Sequence, residues 1–128
     1  MTHKMEYRIY YEDTDAAGIV YYANYLKFAE RARTEWLRSL GFNQSNLMEQ
    51  NGFGFVVKHV EADFIAPAKL DDVIEIETIL KSLNKASIDM IQLIKKEDKD
   101  LVSIRVTLAC LNKQGKATRV IPELFDKI

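Results

Sequence analysis

Cysteine is almost missing from this chain. Cys110 stands alone, so no disulfide can form within it, and a reducing compartment fits. The residue lies in the apolar run Val106–Leu111, which reads as a buried structural thiol rather than a reactive one. Excess charge of either sign is missing as well. Eighteen Lys and Arg against nineteen Asp and Glu leave a net charge of −1, so no general attraction to nucleic acid or an acidic membrane is expected. No apolar run is long enough to span a bilayer, and the opening MTHKMEYRIYYED lacks the apolar stretch of a secretion signal. The expectation is a cytoplasmic protein without an integral membrane segment. There is no phosphate-binding loop, nucleotide fingerprint or zinc-type spacing, so neither a cofactor nor a metal is expected. The two histidines, His3 and His59, have no neighbouring partner in sequence and read as non-catalytic. Lys58, Arg105, Lys116 and Arg119 are scattered bases of the kind that seldom do anything specific.

What is present is patterning. A chain of 128 residues suits one domain, residues 1–128. Met5–Tyr11 alternates weakly and reads as a first strand. From Tyr22 to Leu40 the period changes to three- and four-residue steps. Tyr22, Tyr25, Leu26, Ala29, Ala32, Trp36, Leu37 and Leu40 mark one buried helical face. Gly41 is placed to end that helix in a left-handed conformation. Asn43–Asn51 reads as a polar connection. Phe55–Phe64 is then a strand in which Val56, Lys58, Val60, Ala62 and Phe64 share a face. Pro67 and the Leu70–Asp72 turn separate it from Val73–Leu83, where Ile74, Ile76, Thr78 and Leu80 oppose Glu75 and Glu77. Lys85–Glu97 and Leu101–Asn112 complete the set. One helix on one face of a five-stranded antiparallel sheet is an α+β arrangement. Its edge strands suit pairing across a two-fold axis, so a homodimer or homotetramer is expected.

Chemistry concentrates in Tyr10–Leu37, YYEDTDAAGIVYYANYLKFAERARTEWL. Glu12, Asp13 and Asp15 stand just before a glycine and the start of the helix. A carboxylate there sits beside unpaired backbone N–H groups able to hold a developing oxyanion, which suits acyl-group hydrolysis. A plainer reading has Asp15 accepting hydrogen bonds from turn amides, and position alone slightly favours it. Gly18 permits either an unusual backbone angle or a close ligand approach. Tyr21 and Tyr22 either line a pocket or pack inward, with core packing the default for Tyr22.

DTDAAGIVYYANYLKFAERARTEWL closely resembles the hotdog-fold acyl-CoA thioesterases of the 4-hydroxybenzoyl-CoA thioesterase type. It is nearest the subgroup associated with the Tol-Pal envelope system, and FIAPAKLDDVIEIET extends the likeness. The resemblance implies a hotdog fold, a curved sheet wrapped around the Tyr22–Leu40 helix. It implies Asp15 as nucleophile or general base, and the Tyr22 backbone N–H as the donor that polarises the thioester carbonyl. Gly18 and Tyr21 would then face substrate, and Lys85 would be the nearest match to a base holding the CoA phosphates. The subgroup commonly carries His where this chain has Tyr22, so no imidazole role transfers. The acyl pocket would lie at a dimer interface. A non-catalytic acyl-thioester-binding or envelope-complex module is the alternative.

Overall fold

The computed structural model describes residues 2–120 and 122–127. Its elements are β1 (Thr2–Arg8), a short 3-10 turn (Tyr11–Asp13), α1 (Asn24–Ser39), α2 (Leu47–Asn51), β2 (Gly54–Phe64), β3 (Val73–Leu83), β4 (Ser87–Lys96), β5 (Lys99–Leu111) and α3 (Pro122–Lys127). The five strands form one antiparallel sheet in the order β1-β3-β4-β5-β2. The α+β expectation therefore holds, with α1 against the sheet.

Alternation decides which side of the sheet faces α1. Ile74, Ile76 and Thr78 on β3 are buried, as are Val102, Ile104, Val106, Leu108 and Cys110 on β5. They meet Phe28, Ala29, Ala32, Trp36 and Leu37 of the helix in two adjoining apolar clusters. Each Val, Leu, Ile or Phe among them contributes roughly 1.5–3 kcal/mol when fully buried. Gly41 ends α1 as expected, at φ +91°. The Phe42 N–H reaches the Leu37 carbonyl and the Gly41 N–H the Arg38 carbonyl, both at 3.0 Å, which is the Schellman closure.

Several expectations need correction. β1 ends at Arg8 rather than Tyr11, because Asp13 Oδ2 accepts the Tyr10 N–H at 2.9 Å and curls the chain. The helix proper begins at Asn24. Residues 21–23 before it form a tighter turn, in which the Asn24 N–H reaches the Tyr21 carbonyl at 2.8 Å. Tyr22 is 61% exposed and Leu26 40%, so neither belongs to the core. The polar connection Asn43–Asn51 contains α2, anchored by the buried Leu47. In β2 the register slips between Val57 and His59, leaving Lys58 as an inserted residue. Val57 therefore lies opposite the buried Leu108, and Val60 opposite the buried Val106, on one face. Val56 turns to the other face, because one bulge reverses the alternation. β2 lies at the far edge of the sheet, paired with β5 and three strands away from β3. The segment 65–72 between β2 and β3 must therefore cross beneath the start of α1.

Candidate active site

That crossing segment fixes the helix start. The Val20 N–H donates to the Ala68 carbonyl at 2.9 Å. The Ala68 N–H donates to the Tyr25 hydroxyl at 3.0 Å, inside the fold. Burial raises the Tyr25 pKa, and the Asp72 charge adds to the rise against the bond from Ala68. On the other side, Ile9 and Asp71–Asp72 exchange backbone bonds of 2.8 and 3.0 Å. Asp72 itself is stabilised as a carboxylate. Burial opposes ionisation, but hydrogen bonds from Lys96 and the Lys69 amide outweigh it and lower the pKa.

The three acids have separate fates. Asp13 is only 3% exposed. Its Oδ1 accepts from Asn24 Nδ2 at 3.2 Å and its carbonyl from the Tyr21 N–H at 2.9 Å. Together with the bond to Tyr10, these tie the acidic loop to the first residue of α1. Glu12 points to solvent. Asp15 is exposed at the head of a tight turn. Its N–H donates to the Ile19 carbonyl at 2.9 Å, and its carbonyl accepts from the Gly18 N–H at 3.0 Å. Oδ1 accepts from the Ala17 N–H at 2.8 Å; Oδ2 has no protein donor among the described residues. The Asp15 carboxylate thus both accepts a turn amide and keeps a free oxygen.

Gly18 has φ +79°, and a methyl built there would meet nothing within 4 Å. The left-handed backbone angle is the local requirement for glycine here. It lines an open cleft of about 460 Å³ with Asp15, Tyr11, Thr14, Ala16 and Leu70. A second cavity, about 230 Å³, is lined by Ile19, Val20, Tyr22, Tyr25, Phe64 and Ile65, with Ala66 and Pro67 at its edge. Gly18 of the first lining and Ile19 of the second are consecutive residues. Tyr21 is half-exposed and its ring centroid lies 5.0 Å from that of Tyr22, which in turn meets Phe64 edge-on at 5.9 Å. Among the described residues, neither the Tyr22 N–H nor the Ala23 N–H has a protein acceptor. These are the free donors that a helix start leaves.

Lys85 is not part of this grouping within one protomer. It sits exposed in the β3–β4 turn, while the acidic loop packs beside Asp72 at the start of β3. The eleven residues of β3 separate those ends by roughly 35 Å. His59 bonds Glu61 at 2.8 Å on the sheet face away from α1. The buried Cys110 thiol is pushed up to about 11 by burial. Among the described residues no three His, Cys, Asp or Glu side chains gather as a metal site would require. Sequence reasoning missed the Asp13–Asn24 bond and the buried polar group Arg33, Gln92 and Thr78. The only available signal for the latter was a Thr and a Gln at inward strand positions.

A family model described as the thioesterase-like superfamily matches residues 10–128. The acyl-CoA thioesterase YbgC of Haemophilus influenzae is 45% identical over 105 residues, covering 82% of this chain and 77% of that protein. The crystal structure of a probable thioesterase from Bartonella henselae superposes with a TM-score of 0.90 at 39% identity. That match covers 94% of this chain and all of the other. A 4-hydroxybenzoyl-CoA thioesterase structure bound to 4-hydroxybenzoyl-CoA superposes at 0.92 over 98% of this chain and 97% of its own. Its 21% identity makes that a likeness of fold.

Proposed function

The chain belongs to the thioesterase-like superfamily, and from that premise we propose that it hydrolyses acyl-CoA to free acid and CoA. The observation that carries the site is one juxtaposition. An exposed carboxylate with a free oxygen, Asp15, lies one tight turn before two unpartnered amides, Tyr22 and Ala23.

In this reading the thioester carbonyl oxygen accepts from the Tyr22 N–H. Asp15 either takes a proton from an attacking water or attacks the carbonyl carbon itself, giving a mixed anhydride that water then opens. In both routes negative charge gathers on the carbonyl oxygen as the new C–O bond forms, and the fixed amide stabilises it. The C–S bond then breaks and the CoA thiolate takes up a proton. Water and one carboxylate suffice, so the chemistry calls for no cofactor. The acyl group enters the apolar cavity beside Tyr22, flanked by Tyr21, while Gly18 keeps the turn open to substrate.

A homodimer, or a tetramer built from it, completes the proposal. β2 is an eleven-residue edge strand whose Val57, Val60 and Phe64 are half-exposed, and pairing two such edges would cover them. Only a partner subunit could then bring a Lys85 toward CoA phosphates at this site. The lone thiol accords with a cytoplasmic setting, and no helix among the described residues is long and apolar enough to cross a membrane. Association with the Tol-Pal system rests on the motif resemblance alone, and co-purification with its envelope components tests it.

Thiol release from a panel of short, long and aromatic acyl-CoAs tests the activity. Turnover of at least one class is expected. A flat panel alongside tight acyl-CoA binding would instead identify a non-catalytic binding module.

A further inference from the structure

Residues 21–24 form the turn that carries the free Tyr22 and Ala23 amides, and Asp13 holds both ends of it. The Asp13 carbonyl accepts the Tyr21 N–H at 2.9 Å, and its Oδ1 accepts Asn24 Nδ2 at 3.2 Å. The turn closes on itself through the Asn24 N–H, which reaches the Tyr21 carbonyl at 2.8 Å. Asp13 is buried, and its Oδ2 accepts the Tyr10 N–H at 2.9 Å. The carboxylate therefore cannot swing away from Asn24 without orphaning a backbone donor.

The same residue is tied to Asp15. Thr14 between them is extended, at φ −98° and ψ 155°, and bridges to Val20. The Asp15 N–H then reaches the Ile19 carbonyl at 2.9 Å. Residues 13–15 and 19–21 thus make a short antiparallel ladder, with Asp15 on one side and the turn of free amides continuing the other. A second hold comes from the crossing segment, where Ala68 bonds Val20 and the Tyr25 hydroxyl. Those contacts fall just before and just after the turn. Within it, among the described residues, only the Asn24 side chain has a hydrogen-bond partner.

We propose that Asp13 and Asn24 are positioning residues for thioester hydrolysis, fixing the Tyr22 and Ala23 amides against the Asp15 carboxylate. This role rests on the acyl-CoA hydrolase reading of the same site. Neither side chain touches the reacting atoms. A hydrogen bond weakens steeply as it is misaligned, and the demand on it peaks when charge reaches the carbonyl oxygen. Binding of the acyl chain and CoA depends far less on how one amide is aimed. A loosened turn therefore lowers kcat and spares KM. A bond of structural value only would lower the melting temperature and leave the turnover of folded molecules unchanged.

Variants of the full chain test this, with kcat and KM taken from thiol release and melting temperature from circular dichroism. Asn24→Ala removes the side-chain donor. Its kcat should fall roughly tenfold or more, the scale of a misplaced catalytic geometry, with KM within about twofold. Asn24→Asp keeps the shape but sets carboxylate against carboxylate, and should fall similarly. Adding Asp13→Asn to it reverses the pair. The new amide oxygen accepts the Tyr10 N–H while the amide nitrogen donates to the new carboxylate, so most of the lost kcat should return. Ile88→Val, in the core cluster around Trp36, supplies a comparable loss of stability and should keep its kcat. Unchanged kcat in Asn24→Ala, as when the Ala68 contacts suffice, would overturn the proposal. So would an equal fall in Ile88→Val, or a double variant no better than Asn24→Asp. Should Asn24→Ala fail to fold, Asn24→Asp and the double variant still decide. No thiol release by the unsubstituted protein from any acyl-CoA would sink the hydrolase reading and this role together. Turnover by the unsubstituted protein, matched by Asn24→Ala, would sink the role alone.

Discussion

Three acids precede the first helix, and the fold gives each a different environment. Asp13 is buried and bonded to Tyr10 and Asn24, Glu12 is solvated, and Asp15 keeps one oxygen free. Their order in the chain does not predict this division, because it depends on Asn24, eleven residues beyond Asp13. The family resemblance singled out Asp15; the fold supplies a physical distinction among the three. Asp13→Ala would orphan a backbone N–H and the Asn24 amide at the junction of loop and helix. The expected cost is about 2 kcal/mol in urea denaturation. Asp13→Asn should recover part of it by keeping an acceptor for one of the two donors. Arg33, Gln92 and Thr78 were illegible for a related reason. Each reads alone as an ordinary polar residue, and only the packing of α1 on β3 and β4 makes them a buried network.

At the scale of elements, periodic segments were legible and irregular ones were not. β3 runs Val73–Leu83, as its alternation predicts, and the apolar residues that alternate along β5 from Val102 to Cys110 face inward. Gly41 ends α1 because its left-handed angle leaves the helix no way to continue. β2 failed at Lys58, since an inserted residue leaves no mark in a strand whose two faces both carry valines. The pairing of β2 with β5 also lay beyond local pattern. Periodicity says which residues face inward, while the partner strand is chosen by where the 65–72 segment can travel. That segment then positions the site by bonding Val20 and Tyr25 through Ala68.

Across the whole molecule, stability should depend on acid at two carboxylates. Asp72 has a lowered pKa: burial opposes ionisation, and the bonds from Lys96 and Lys69 outweigh it. Asp89 is lowered by hydrogen bonds from Thr107 and Ser82. A folded pKa below the ordinary value near 3.8 means the unfolded chain binds protons first. The stabilisation is thus complete above that value and lost as pH falls through the lower folded pKa. Thermal melts from neutral pH into acid should show this drop, and the drop should shrink in Asp72→Asn. An acid limb unchanged by that substitution would assign it to other groups.

The central claim is that Asp15 acts on the thioester. Steady-state thiol release by Asp15→Asn, with folding verified by circular dichroism, tests it most directly. Loss of an acid–base group predicts that the turnover number falls by about a hundredfold or more. Near-normal turnover by the folded variant would contradict the assignment.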